Sequence, residues 1–211
     1  MMTQCLAEWG GGLAIAADPY YIPENHPNWA GDSLGWVAMA CLHARGTPPM
    51  IPISAGEGFL LVEWGPIDVV GCYFPPHLGR KEYGEALESL GEQIHHRSPR
   101  PVIVGGDFTA HSTEWGSPST DSRGVSTLQW AARLGLGCVQ IPHSGAPKLP
   151  NAVQKPVEST SALPRWPVQK HAGCSRSGDF CTLLFCRVES LSIEWPHKGC
   201  VQQTHSFATV L

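Results

Sequence analysis

Short apolar runs, each bounded by glycine, proline or polar residues, predict the β-strands of this chain. Four of the runs are short and apolar, and all but Leu13–Ala17 are rich in β-branched and aromatic residues, which at this length favours strands over helices. They are Leu13–Ala17, Phe59–Trp64, Ile67–Tyr73 and residues 101–105. The sequence Gly65-Pro66 separates the second run from the third and therefore predicts a hairpin. Residues 35–42 also have strand character, and the proline-containing stretch 21–33 predicts a loop.

A different spacing predicts two helices. Tyr83, Leu87, Leu90 and Ile94 are spaced by four, three and four residues, so they share one helical face, with glutamates on the opposite face. This pattern predicts a helix over Arg80–His96. A second helix is predicted over residues 125–134 and is closed by Gly135. The order of strand, hairpin, helix, strand and helix indicates the α/β class.

The second half of the chain lacks such patterns. From Cys138 to Gly178, prolines and polar residues interrupt every apolar run, and neither a helical nor a strand period survives. Residues 180–187 are apolar enough for one strand. We therefore expect two regions, a folded domain over residues 1–137 and a diverged, largely irregular segment over residues 138–211.

Length, charge and hydrophobicity make some classes of function less expected than others. A chain of 211 residues fits one domain, and its formal net charge of -4 with 15% charged residues is not that of a basic nucleic-acid-binding domain. We thus expect any binding to a phosphate backbone to be weak. No apolar run is long enough to span a bilayer and the first residues lack a secretory pattern, so we expect no membrane association and an intracellular location.

Eight cysteines allow two interpretations. None forms a Cys-x-x-Cys pair, and no secretory signal is visible, so we expect most of them to be reduced, with Cys72 on a buried strand. A zinc site formed by Cys174, Cys181, Cys186 and a histidine remains the alternative.

The candidate chemistry begins at Asp107. This residue follows the apolar run 101–105 and two glycines, which we expect to end the strand and allow a sharp turn. In α/β proteins the ends of strands hold side chains rigidly at the edge of a sheet, where sites form. Thr109, His111 and Ser112 follow directly and could share such a site. A turn former or helix cap is the alternative role for a lone aspartate at this place.

The longer string around Asp107 resembles the endonuclease domain of non-LTR retrotransposons, a branch of the endonuclease/exonuclease/phosphatase superfamily. That family typically reads Gly-Asp-Phe-Asn-Ala-His-Ser, then Trp-Gly, then Arg-Gly and a helix containing Trp-Ala. The matching residues are Gly106, Asp107, Phe108, Ala110, His111, Ser112, Trp115, Gly116, Arg123, Gly124, Trp130 and Ala131. Thr109 stands where the family has asparagine. The resemblance covers residues 5–136.

The resemblance implies a two-sheet β-sandwich flanked by helices, an Mg²⁺ cofactor, DNA as the partner, and a linked reverse transcriptase. It assigns metal binding to Asp18 and Asp107, and catalysis to Asp107, Tyr73, Thr109 and His111. Asp18 occupies the place of a glutamate in the family and is one methylene shorter. Alternative roles are a turn before Pro19 for Asp18, core packing for Tyr73, and hydrogen bonding within the loop for His111. Substitution for a missing catalytic histidine is a further possibility for His111.

Parts of the family pattern are missing. The first strand with its asparagine has no match, so we expect an incomplete fold, and Ile193-Glu194 stands where the family has its final Asp-His pair. No Asp-His dipeptide occurs in this chain. One hypothesis is a Mg²⁺-dependent endonuclease that nicks DNA in the nucleus, with impaired catalysis. The alternatives are a non-catalytic remnant or binding module and a phosphatase of the same superfamily.

Overall fold

The computed structural model describes residues 6–7, 12–43, 46–139, 182–187, 200–203 and 206–210. In chain order the described elements are β1 (Leu13–Ala17), β2 (Trp29–Gly31), β3 (Val37–Cys41), β4 (Met50–Gly56), β5 (Phe59–Trp64), β6 (Ile67–Tyr73), α1 (Arg80–His96), β7 (Val102–Asp107), a 3-10 turn (Thr113–Trp115), α2 (Ser122–Arg133), β8 (Gly137–Val139), β9 (Thr182–Arg187), β10 (Cys200–Gln203) and β11 (Ser206–Val210). No helix among the described residues is long and apolar enough to cross a membrane.

The strands form two sheets. Sheet 1 has the order β10-β11-β1-β3-β2, and sheet 2 has the order β4-β5-β6-β7-β9-β8. All pairings of the described strands are antiparallel except that of β6 with β7, which run in the same direction. A parallel pair needs a crossover connection, and α1 supplies it.

The two sheets pack face to face, and the helices cover the outer face of sheet 2. Side chains alternate along β5, so that Leu60 and Val62 face sheet 1 while Phe59 and Leu61 join the helix layer. At Gly71 the sheets approach so closely that a Cβ atom would lie 2.7 Å from Ile15. This architecture confirms the predicted α/β sandwich of two sheets flanked by helices.

The predicted strands and helices agree well with the structure in the first half of the chain. β1, β5, β6 and α1 have the predicted bounds, and the predicted face of α1 is buried. Residues 180–187 yield β9, as expected. Cys72 is a free, buried thiol on β6, also as expected. For α2 the structure places the start at Ser122, three residues before the predicted one, because Asp121 caps the helix.

Two expectations are wrong. The strand that contains residues 102–105 does not end at the two glycines but continues through them to Asp107, because Gly105 and Gly106 pair with Gly71 and Cys72 in the parallel ladder. The stretch 21–33 is not all loop, because it contains β2. β4 also lacked a clear signal, since Pro52 interrupts it and the ladder is irregular there.

Several expectations concern residues that the structure does not describe. These include the zinc alternative at Cys174, Cys181 and Cys186, the irregular stretch 140–178, and Ile193-Glu194, all of which lie outside the described residues apart from the Cys186 backbone. The proposed boundary at residue 137 stays a prediction. The described strands beyond it join both sheets, with β9 next to β7 and β11 next to β1.

Gly106 offers a direct test of the parallel ladder. Its φ of 148° is unfavourable for other residues, and a Cβ atom would lie 1.9 Å from the carbonyl oxygen of Cys72. We expect Gly106→Ala to lower the free energy of unfolding by about 3 kcal/mol or more, measured by urea denaturation. Gly84→Ala is the matched control, because its Cβ meets nothing within 4 Å and alanine stabilises a helix interior by up to about 1 kcal/mol. Equal effects of the two substitutions would contradict the close approach.

Candidate active site

The parallel pairing of β6 with β7 brings two candidate residues together. Tyr73 is the last residue of β6 and pairs with Asp107, the last residue of β7. The next residue, Phe74, donates its backbone N–H to the carbonyl oxygen of Asp107 at 3.0 Å. Both side chains therefore leave the sheet at the same edge, with Asp107 only 1% exposed and Tyr73 half-buried.

The Asp107 carboxylate is only partly satisfied. Its Oδ1 accepts a hydrogen bond from the backbone N–H of Thr109 at 2.8 Å. Its Oδ2 is buried and has no hydrogen-bond partner among the described residues. Burial raises the pKa of Asp107 to about 6, although the Thr109 N–H and the charges of His111 and Arg123 oppose the rise.

His111 and Asp121 form a pair beside this carboxylate. His111 Nδ1 lies 2.9 Å from Asp121 Oδ2, while Asp121 Oδ1 accepts the Gly124 N–H at 2.6 Å and caps α2. Burial raises the pKa of Asp121, but the Gly124 N–H and the His111 ring lower it by more. Because an ionised Asp121 only accepts, His111 Nδ1 donates, and the other ring nitrogen of a neutral imidazole is then an acceptor. That atom, Nε2, is buried without a hydrogen-bond partner in the part of the chain that the structure describes.

Asp18 approaches the same edge from sheet 1. It follows β1, and its backbone N–H donates to the carbonyl oxygen of Trp36 at 2.8 Å. Burial raises the pKa of Tyr73, and the negative charges of Asp18 and Asp107 raise it further. Both carboxylates therefore interact electrostatically with Tyr73, and for Asp18 this interaction is the link to the end of β6.

Thr109 contributes to the site in an unexpected way. Its φ of 43° is in the left-handed region, where asparagine is enriched and a β-branched residue is an outlier. Its hydroxyl donates to the carbonyl oxygen of Phe74 at 2.6 Å and accepts a hydrogen bond from Arg123. The side chain therefore ties the loop after β7 to the loop after β6.

Arg123 holds the loop after β6 in place. Its guanidinium lies over the Tyr83 ring, with Cζ of Arg123 4.6 Å from the ring centroid. Nη2 donates to the carbonyl oxygens of Leu78 at 2.6 Å and Pro75 at 3.0 Å. A guanidinium has five N–H donors in a planar fork, which suits several carbonyls of one loop. Arg123 and Thr109 together fix the segment that follows Tyr73.

Asp32 has a structural role here. Its Oδ1 accepts the Val37 N–H at 2.9 Å, and its Oδ2 accepts the Gly58 N–H at 2.9 Å. Both oxygens are therefore satisfied, and they connect the loop before β3 to the turn before β5. The contrast with Asp107, whose Oδ2 lacks a partner, distinguishes a carboxylate that stabilises the fold from one that is available to a ligand.

The described side chains do not contain a group of three or more histidine, cysteine, aspartate or glutamate residues arranged to hold a metal ion. Asp18 and Asp107 remain the candidate ligands. Mg²⁺ usually keeps several waters and binds through one or two carboxylates, so two carboxylates are a sufficient protein contribution. The buried, unpartnered Oδ2 of Asp107 fits this use because a cation would compensate its charge.

Comparison with known proteins supports this interpretation of the fold. The model of the endonuclease-reverse transcriptase family matches residues 67–160, which include the ends of β6 and β7. Among solved structures, the endonuclease domain of TRAS1, a telomere-specific non-LTR retrotransposon, matches with a TM-score of 0.55 and 21% sequence identity, covering 67% of this chain and 68% of that chain. Comparison with curated proteins gives no match. The resemblance is confirmed over residues 67–160, which match the family model, and the fold is similar to that of the TRAS1 endonuclease domain.

Sequence reasoning assigned no role to two residues of this site. Asp121 directly precedes α2, where aspartate is a usual N-cap, but nothing in its spacing indicated His111 as a partner. Arg123 was recognised only as half of an Arg-Gly pair. Its contacts with the loop after β6 depend on tertiary packing, which no local pattern reports.

The burial of Asp107 has a measurable cost. With a raised folded-state pKa, the ionised carboxylate destabilises the fold above about pH 6, and this penalty disappears below about pH 4, where the carboxyl is protonated in both states. Each pKa unit is worth about 1.4 kcal/mol, so we expect Asp107→Asn to raise the free energy of unfolding by about 1–3 kcal/mol at pH 7.5 in EDTA. Thermal denaturation at pH 7.5 and pH 4 measures the difference.

Asp32→Asn is the matched control. It makes the same chemical change at a buried carboxylate whose oxygens accept backbone N–H groups, so an amide nitrogen would face a donor. We expect this variant to be less stable than the parent at pH 7.5 by about 1–3 kcal/mol. A stabilised Asp32→Asn, or a destabilised Asp107→Asn, would contradict the assigned environments.

Proposed function

We propose that this edge of the sandwich is a phosphodiester-cleaving site of the endonuclease type that acts on DNA with Mg²⁺, and that its catalysis is impaired. Asp18 and Asp107 would hold the cation. His111, held by Asp121, and Tyr73 would contact the phosphodiester or the attacking water. If DNA is the substrate, the protein acts where DNA is, which in a eukaryotic cell is chiefly the nucleus.

One observation carries the proposal. Asp107 Oδ2 and His111 Nε2 are both buried polar atoms without hydrogen-bond partners among the described residues, and their groups interact electrostatically. Buried polar atoms without partners are costly, so a fold that retains two of them together favours a ligand that supplies hydrogen-bonding groups or positive charge. A cation with its bound water meets both needs.

The residues divide the chemistry between them. A bound Mg²⁺ supplies charge stabilisation at the phosphate oxygens. Asp107 can orient water through its free oxygen. The Asp121 carboxylate fixes the His111 tautomer so that Nε2 can accept a proton, as a general base requires. The Tyr73 hydroxyl remains protonated near neutral pH, because its pKa is raised, and can therefore donate a hydrogen bond to a phosphate oxygen.

The expected impairment has a physical cause at Thr109. The family's asparagine would present an amide to the phosphate, whereas the Thr109 hydroxyl is already bonded to Phe74 and Arg123. The final Asp-His pair is also replaced in the sequence. Loss of two transition-state contacts at roughly 3 kcal/mol each slows cleavage by about 10⁴-fold. The same feature favours the alternative of a non-catalytic binding module derived from such an endonuclease.

Metal binding is the first test, because it does not depend on turnover. We expect Mn²⁺, used as a probe for Mg²⁺ and followed by electron paramagnetic resonance, to bind the protein at pH 7.5 and to be displaced by Mg²⁺. Asp107→Ala should weaken binding by about 10-fold or more, equivalent to about 1.4 kcal/mol. Glu92→Gln on the exposed side of α1 is the matched control and should change nothing. Equal Mn²⁺ binding by the parent protein, Asp107→Ala and Glu92→Gln would contradict a metal site at Asp107.

Cleavage is the second test. We expect purified protein with Mg²⁺ to nick supercoiled plasmid no faster than the Asp107→Ala variant or the EDTA control, because too few transition-state contacts remain. The measurement is the fraction of relaxed circles over several hours on agarose. Mg²⁺-dependent nicking that disappears in Asp107→Ala would contradict the impairment and would mean that a residue such as His111 or His197 has taken over the missing role.

A further inference from the structure

The start of α2 holds both the backbone and the ring of His111. The carbonyl oxygen of His111 accepts the backbone N–H of Asp121 at 3.0 Å, and its ring nitrogen Nδ1 lies 2.9 Å from Oδ2 of the same aspartate. Gly124 packs so closely here that a Cβ atom would lie 1.9 Å from the carbonyl oxygen of His111. The imidazole is therefore fixed in place, as the side chains of a preorganised site must be.

The contact with Asp121 also selects one tautomer of this imidazole. Burial raises the pKa of Asp121, but hydrogen bonds from Gly124 and His111 lower it by more, so the carboxylate is ionised near neutral pH and only accepts. Nδ1 of a neutral His111 ring then carries the proton, and Nε2 keeps its lone pair. A histidine that binds a metal ion nearly always donates its other ring N–H to a carboxylate or a carbonyl oxygen, and His111 has this arrangement.

The Asp107 carboxylate offers a second ligand atom on the same loop. Asp107 is 1% exposed, and its Oδ2 has no hydrogen-bond partner among the described residues. A charge on His111 lowers the pKa of Asp107, so the two side chains are near enough to interact. The loop between them is drawn back towards β7, because the Thr109 N–H donates to Asp107 Oδ1 at 2.8 Å.

The chemistry of these two atoms favours a transition-metal ion. Imidazole nitrogen is a good ligand for zinc, whereas Mg²⁺ prefers oxygen ligands and keeps several of its waters. Nε2 and Oδ2 are both buried, although 31% of the His111 side chain is exposed, so an ion that gives up its water readily fits them better. The described residues contain no group of three such ligands, so water would complete the coordination, with a lower affinity than that of a structural zinc site.

We propose that Asp107 Oδ2 and His111 Nε2 together bind Zn²⁺, and that this ion competes with Mg²⁺ for Asp107. Zinc coordination depends only on these two side chains and on Asp121, whereas the competition rests on the proposed function, which assigns Mg²⁺ to Asp107. A zinc ion bonded to Nε2 also occupies the lone pair that would accept a proton during cleavage. Zinc at this site is therefore an inhibitor of Mg²⁺-dependent cleavage and not its cofactor.

NMR spectroscopy of the imidazole nitrogens tests zinc binding at one atom. Zn²⁺ is titrated into the isotope-labelled protein at pH 7.5, and the His111 resonances are identified by their absence from the spectrum of His111→Gln. We expect a zinc-bound Nε2 resonance with Nδ1 still protonated, and we expect that Mg²⁺ alone does not produce it. Zinc taken up by cysteines elsewhere in the chain does not produce this resonance either.

Three variants test the parts of the site. Asp107→Asn keeps the shape of the side chain but removes its charge, and should raise the zinc concentration that half-saturates His111 by about 10-fold or more. Asp121→Asn still caps α2, because asparagine is as good an N-cap as aspartate, but should weaken zinc binding by about 10- to 100-fold. His95→Gln is the matched control, because His95 is exposed in the last turn of α1, and it should leave the His111 response unchanged. Circular dichroism confirms that each variant is folded.

Added Mg²⁺ separates this inference from the proposed function. Mg²⁺ at about ten times its dissociation constant should raise the zinc concentration for half saturation by about 10-fold, because one ion excludes the other. Zinc binding without any effect of Mg²⁺ would confirm the two zinc ligands but overturn both the competition and the Mg²⁺ site at Asp107.

Two other results would overturn the zinc site itself. A His111 Nε2 resonance that zinc leaves unchanged, in a protein that still binds Mn²⁺, would mean that the imidazole only stabilises its loop, and the proposed function would stand. Zinc binding at His111 that is equally tight in Asp107→Asn would mean that the ion uses other ligands than Asp107.

Discussion

β6 and β7 lie side by side in the same direction, and this arrangement determines where the chemistry can lie. Antiparallel neighbours would put Tyr73 and Asp107 at opposite ends of sheet 2, whereas the parallel register pairs them directly. The arrangement depends on α1, which carries the chain back across the sheet and packs Tyr83, Leu87 and Leu90 against it. It also depends on Gly106, where any side chain would collide with the backbone of Cys72.

The two ends of β6 show how the same residue types serve different purposes. At its start, the buried Asp68 accepts hydrogen bonds from Arg97 and Arg100, and the Arg97 side chain also pairs with Glu63. This network compensates a buried charge completely and connects the end of α1 to the β5–β6 hairpin. At the other end, Asp107 is equally buried, yet one of its oxygens lacks a partner. The fold therefore satisfies both oxygens of Asp68 and leaves one oxygen of Asp107 without a hydrogen-bond partner among the described residues.

The sequence predicted those parts of the fold that depend on local patterns. Strand periodicity and the spacing of apolar residues gave β1, β5, β6 and α1, because each of these elements buries a face that its own residues define. β4 was missed because a proline and a ladder irregularity disturb the alternation that identifies a strand. The end of β7 was misplaced because glycines usually break strands, and only pairing with β6 and β9 keeps them extended here.

The candidate site was predictable in part, for a related reason. Asp107, Tyr73 and Asp18 each end or follow a strand, so their positions at the sheet edge followed from the elements. The Thr109 side chain contacts Arg123 of α2, 14 residues further along the chain, and His111 pairs with Asp121, 10 residues further along. Such contacts depend on three-dimensional packing and leave no periodic trace in the sequence.

The position of β1 in sheet 1 has a consequence for folding. β1 is buried along its whole length and pairs on one side with β3, which follows it closely, and on the other with β11, which comes near residue 210. During synthesis β1 and β3 leave the ribosome long before β11. The edge of β1 that later pairs with β11 is unpaired during this time. Unpaired apolar edges recruit other chains, and distant pairings form slowly. A nascent chain therefore exposes this edge of β1 until β11 has been synthesised, which favours association with other chains in that interval.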